Sequence, residues 1–134
     1  IFEMRILLET YALRKAAVVY TKEDLEELNK YAEINIDKES EDQIIETNDK
    51  FHQKIIAATN NQFILDTYQK YKSFIYLFSQ TVINQRRPGL IEEHKEIVAA
   101  LFKRDIDLAV ELLETHLKND LEFSLYYLDF KKTE

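Results

Sequence analysis

Apolar residues recur at every third or fourth position along almost the whole chain, the period of helices that bury one face. The first stripe includes Phe2, Ala12, Leu13 and Ala16 and predicts a helix from about Phe2 to Tyr20. Thr21 followed by Asp24 has the form of a capping box and opens a second helix that reaches about Ala32. Ile34-Asn35-Ile36-Asp37 then reads as a loop. Ser40 and Gln43 repeat the capping pattern and start a third helix to Ala58, which Thr59-Asn60-Asn61 breaks. A long fourth helix covers Gln62 to Asn84, and Pro88-Gly89 stops the pattern again. The fifth helix runs from Leu90 to Lys103 and the sixth from near Asp105 to about Phe130. Six helices with short connections predict an all-α fold, a compact antiparallel bundle forming one domain over residues 1–134.

Composition narrows the picture. One Gly and one Pro in 134 residues leave too little turn chemistry for a β-sheet protein. Without cysteine there are no disulfides and no thiolate metal sites, in keeping with a reducing, cytoplasmic setting. Eighteen basic residues stand against 25 acidic ones, a net charge of −7. The densest basic clusters are pairs such as Arg14-Lys15 and Arg86-Arg87, so this stretch alone is a poor DNA binder. No apolar run approaches a membrane span and no signal peptide opens the chain. The helical pattern already includes residue 1, so the chain reads like a domain cut from a longer protein.

The three histidines carry the chemistry. His52 shares a helix face with Ile45, Asn48, Ile55 and Ile56; His94 lies among Ile91, Ile97, Val98 and Leu101; His116 follows Ala109, Leu112 and Leu113. A single histidine on an apolar face is ordinarily a core residue with one hydrogen bond. Here every histidine lies on such a face, each on a different helix. Burying three polar rings separately would need three sets of partners, whereas one divalent ion satisfies all three.

The order of motifs resembles the FCD ligand-binding domain, the C-terminal half of the FadR subfamily of GntR transcription regulators. Ile1-Phe2-Glu3-Met4-Arg5 with Leu8-Glu9 and Ala16-Ala17 is similar to that domain's first helix. Thr21-x-x-Asp24-Leu25-x-x-Leu28, Asn48-x-x-Phe51-His52 with Ala58-x-Asn60-Asn61, Glu93-His94 with Ala99-Ala100, and Asp105, Ala109 and His116-Leu117 follow in order. The resemblance implies a divalent metal held by Asn48, His52, His94 and His116. It departs from the commonest family pattern in having Asn48 where Asp is usual; Asp49 belongs to the charged face of its helix. The nitrogen-rich set suits zinc or nickel, with manganese as the alternative. Open positions on a six-coordinate ion would take the carboxylate of a small organic acid effector. The resemblance further implies a homodimer that grips DNA through an N-terminal winged helix-turn-helix absent from this chain.

Arg5 and Glu9 are spaced i, i+4, and an ordinary surface ion pair is the plain reading. Their stripe is apolar, however, and the resemblance places this arginine near the ligand, so Arg5 is expected to contact the effector with Glu9 orienting it. Tyr71, Phe78 and Gln80 on the fourth helix are candidates for the pocket lining, although aromatics at this spacing more often form core or dimer interface. Asp120, one turn past His116, can accept a histidine N–H or remain a solvated charge.

The expected function is acid sensing, not catalysis. A three-His hydrolytic metalloenzyme is the competing reading, but it needs a general base, and only Asp120 shares a stripe with a histidine. A regulator responding to the metal itself is a third possibility. A fatty acyl-CoA sensor, the type of the subfamily's namesake, would lack the metal site, so the histidines argue against it.

Overall fold

A computed structural model describes the backbone of residues 2–133 and side chains through Tyr127; Ile1 and the side chains of Phe130, Lys131 and Lys132 lie outside that set. Six helices follow one another: α1 (Phe2–Val19), α2 (Lys22–Ala32), α3 (Glu41–Ala57), α4 (Gln62–Asn84), α5 (Leu90–Phe102) and α6 (Ile106–Thr133). Both expected capping boxes form, Thr21 with Asp24 and Ser40 with Gln43. The one shift larger than a residue or two is at the last helix, which continues three residues beyond Phe130. Among the described residues no helix is long and apolar enough to cross a membrane.

With one glycine in the chain, three helix ends turn on other residues in the left-handed region: Asn60 (φ 46°), Arg86 (φ 51°) and Arg104 (φ 56°). At the end of α4, Arg86 N–H bonds Ile83 O and Arg87 N–H bonds Val82 O, the paired bonds of a Schellman motif. That turn swings Arg87 back into the bundle, where it is 8% exposed. Arg104 makes the same turn after α5, and its guanidinium donates to Ala17 O and Tyr20 O, carbonyls at the end of α1.

Helix α6 packs on α1, α4 and α5, while α3 packs on α1, α2 and α4. Two apolar clusters result. The larger includes Leu13, Leu28, Phe51, Ile55, Leu101 and Leu117, all essentially solvent-free, and each such side chain contributes roughly 1.5–3 kcal/mol by burial. The smaller joins Ile34, Ile44, Ile45, Val82, Ile83, Leu90 and Ile91, with Phe123 against it. On α3, His52 falls between Ile45 of the small cluster and Ile55 of the large one; on α5, His94 falls between Ile91 and Ile97; on α6, His116 falls between Leu113 and Phe123. The histidines therefore form a polar layer between two apolar ones.

Candidate metal centre

Each ring is 0–1% exposed, and one nitrogen from each of His52, His94 and His116 lies within 4.8 Å of the other two. His52 and His116 are nearly parallel, with centroids 5.4 Å apart, and His94 meets both steeply. His94 also stacks flat on Phe51 at 4.2 Å.

Two carboxylates fix two of the tautomers. Glu9 Oε1 lies 2.5 Å from His52 Nδ1, and Glu93 Oε1 lies 2.7 Å from His116 Nδ1. An ionised carboxylate only accepts, so both rings keep their proton on Nδ1 and present a lone pair at Nε2. A guanidinium stands behind each acid. Arg5 Nε donates to Glu9 Oε2 at 2.6 Å. Arg87 donates through both terminal nitrogens to Glu93, one bond measuring 3.0 Å, and through Nε to Asp120 Oδ1 at 2.8 Å. Asn119 adds a donor to Glu93 at 3.1 Å.

These contacts set the charges. Burial alone would raise the Glu9 carboxyl, but its contact with the His52 N–H and the charge and hydrogen bond of Arg5 outweigh it and hold the group at about 2. Glu93 reaches about 2 in the same way, burial being overcome by its bonds to His116 and Arg87. Burial opposes the charge on Arg87 as well, yet Glu93 and Asp120 raise its pKa. Burial, aided by the adjacent rings, holds His94 well below the ordinary histidine value, and burial also lowers His52 despite Glu9.

What remains unpaired is informative. Among the described residues, Asn48 Oδ1, His52 Nε2 and His94 Nδ1 are buried without a hydrogen-bond partner. His94 Nε2 faces His116 Nε2 at 3.1 Å, and Asp120 Oδ2 lies 3.4 Å from the same His116 nitrogen. Because His116 Nε2 is a lone pair, His94 Nε2 must be the donor, which leaves His94 Nδ1 an acceptor. These three atoms of the histidine layer are then acceptors, each costing about 1–3 kcal/mol if left so; the buried Tyr68 and Ser124 hydroxyls are the other partnerless groups among the described residues. Converging lone pairs suit a cation, and the donor set of imidazole nitrogens with an amide oxygen fits a divalent metal.

The other expected residues are placed as follows. Arg5 and Glu9 are 2% and 0% exposed, a buried pair and not a surface one. Among the described residues, Nη1 and Nη2 of Arg5 have no hydrogen-bond partner. Phe78 is half-buried and meets Phe2 edge-on at 4.6 Å, and the Arg5 guanidinium lies over the Phe2 ring, 5.6 Å from its centroid. Tyr71 and Gln80 are half-buried and make no hydrogen bond to this group among the described residues. The inward stripe of α4 is Tyr68, Ile75, Ser79 and Val82, which leaves Gln80 about 100° off it. It is Ser79 that reaches the centre, 3.5 Å from Asn48 Nδ2. Asp120 is buried and accepts from Arg87 Nε at 2.8 Å, so the arginine and not His116 holds it. The residues the sequence reading missed are Ser79, Arg87 and Glu93. Glu93 stood in the Glu93-His94 motif without a role, and Arg87 stood in a basic pair before Pro88 with nothing to show that it turns inward. A separate cavity of about 320 Å³ beside the α4–α5 turn is lined by Ile36, Ile44, Ile83 and Leu90 among others; none of the histidines lines it.

Fold and site together define a class, an all-α domain enclosing a buried polar centre suited to a divalent ion. The chain belongs to the FCD domain family, whose sequence profile matches residues 1–119. In fold it is similar to a GntR-family transcriptional regulator from Pseudomonas syringae pv. tomato str. DC3000, with a TM-score of 0.83 and 24% identity over 98% of this chain. It spans 56% of that protein's chain. It is also similar to the metal-free FCD domain of TM0439, described as a candidate transcriptional regulator, with a TM-score of 0.82 and 24% identity over 96% of this chain and 91% of that one. No curated protein gives a significant match.

Proposed function

We propose that this domain senses a small organic acid held against a divalent metal, as the regulatory part of a GntR-type transcription regulator of the FadR subfamily. The observation that supports it is the meeting of three buried histidines with a partnerless Asn48 oxygen, beside a buried arginine whose terminal nitrogens have no partner among the described residues. His52, His94 and His116 would hold the ion through ring nitrogens and Asn48 through its amide oxygen. Zinc or nickel suits that set, with manganese as the alternative. When bound, the ion supplies a Lewis-acid contact for a carboxylate. Arg5 offers the other contact: Glu9 takes only its Nε, which orients the planar group and leaves an edge with bidentate geometry for a carboxylate.

That free edge favours an acid, and not the metal alone, as the signal. Catalysis is less well served. Glu9, Glu93 and Asp120 are each held by an arginine, so none of these three is free to act as a general base. DNA binding would reside in a winged helix-turn-helix on another segment of a cytoplasmic regulator, since this acidic stretch has no basic stripe. Exposed Phe63, Phe74 and Leu77 along α4 provide a face for the second copy of a homodimer.

A thermal-shift screen of small acids against the metal-loaded domain tests this reading. At least one acid should stabilise it, and Arg5→Ala should weaken the best one about tenfold or more. A screen without a hit, or an Arg5→Ala protein that binds that acid as well as the wild type, contradicts the reading.

A further inference from the structure

The four buried charges of the domain balance, but half-buried Glu93 adds a surplus negative charge to the group around the histidines, and that imbalance selects among acids. Among the described residues, the buried arginines and carboxylates are Arg5, Glu9, Arg87 and Asp120, and half-buried Glu93 completes their network. All of them surround the three histidines. Each carboxylate accepts a hydrogen bond from a guanidinium, the arrangement of ionised groups. Two guanidiniums against three carboxylates leave one negative charge. Asp49, at the rim of α3, is matched separately by Lys72 at 3.3 Å.

An unbalanced charge of either sign is costly in a water-poor interior. A dication among three neutral rings and a neutral Asn48 would turn the enclosed charge from −1 to +1. One carboxylate would then close it to zero, and a second would return it to −1. We propose that the effector is an organic acid with a single ionised group, and that the site rejects a second negative charge on the ligand. This rests on the metal-and-acid reading above and adds to it the valence of the acid. The selection comes from the sum of charges around the rings, so it should respond to residues that never touch the ligand. Glu93 is the clearest of these: it faces His116 Nδ1 and Arg87. Replacing it with glutamine would leave the ion-loaded centre at +2, the charge a dianion neutralises.

Three pairs of acids of matched shape provide the probes: malonate and malonamate, succinate and succinamate, glutarate and glutaramate. Each is titrated calorimetrically into the metal-loaded domain, and metal content is measured afterwards so that stripping is seen. In every pair that binds, the monoanion should be tighter by about tenfold or more, and Glu93→Gln should reverse the order. Should that variant fail to fold, Asn48→Asp serves instead. It adds one negative charge and should lower monoanion affinity to about the level at which the wild type takes the dianion. A wild-type domain that takes the dianion as tightly as its partner overturns the proposal while leaving acid sensing intact. No binding by any of the six acids to protein that keeps its metal overturns both.

Discussion

Two relays of side chains reach the histidines, and they are built from the same parts. In one, Arg5 holds Glu9 and Glu9 holds His52. In the other, Arg87 holds Glu93 and Glu93 holds His116. They differ in what is left over. Arg87 uses Nε on Asp120 and its terminal nitrogens on Glu93 and Pro88 O, whereas Arg5 has Nη1 and Nη2 without partners among the described residues. One guanidinium therefore ties the α4–α5 turn to α5 and α6, and the other keeps donors in reserve. Between buried arginines of equal charge, the one with unused donors is the one the proposed acid would meet.

The largest expected effect separates these roles. Arg87→Ala leaves Asp120 and Glu93 without their cation and should cost about 3–5 kcal/mol, read as a lower urea midpoint. Arg5→Ala should cost less stability, because Glu9 keeps His52, and its main effect should fall on the acid. If Arg5→Ala proves the more destabilising of the two, the division of labour is wrong.

A smaller effect tests whether the relays tune the rings. Glu9→Gln should loosen the metal by about 10–100-fold in competition with a chelator, since the carboxylate that fixes the His52 tautomer is gone. Metal affinity unchanged by this substitution would reduce the first relay to packing.

The smallest is a pH dependence in metal-free protein. His94 has a depressed pKa in the fold. As pH falls below the ordinary value of 6.5, the unfolded chain takes up a proton that folded His94 refuses, and stability declines. Glu9 and Glu93, held at about 2, supply stability that is full above their ordinary 4.5 and lost as pH falls toward 2. Urea midpoints should therefore drop first below about 6.5 and again below about 4.5. A midpoint flat from pH 7 to 5 would mean that His94 is not held neutral.

The helices and the layer of histidines were legible in the sequence because both depend on periodicity: a residue's place on a stripe decides its burial. Asn48, His52, His94 and His116 followed from that rule and the resemblance. Arg87 did not, because its direction is set by a left-handed Arg86 in the turn after α4, and no apolar period extends through a turn. Glu93 escaped for a related reason. It lies beside the stripe of its own helix and reaches a histidine on another, and such contacts between helices leave no local trace. Ser79 was passed over for Gln80 because a neutral hydroxyl looks unremarkable on a helix full of aromatics.

All of this depends on a metal among the three rings, and metal content is the measurement that bears on it most directly. Protein purified without metal-affinity resin and analysed for elements should carry about one divalent ion per chain at pH 7.5, and lose it only at acid pH below the ordinary histidine range, because burial holds His52 and His94 down and delays the exchange of lone pairs for protons. Less than about a tenth of an equivalent, remaining so after incubation with zinc, nickel or manganese and desalting, would contradict the account.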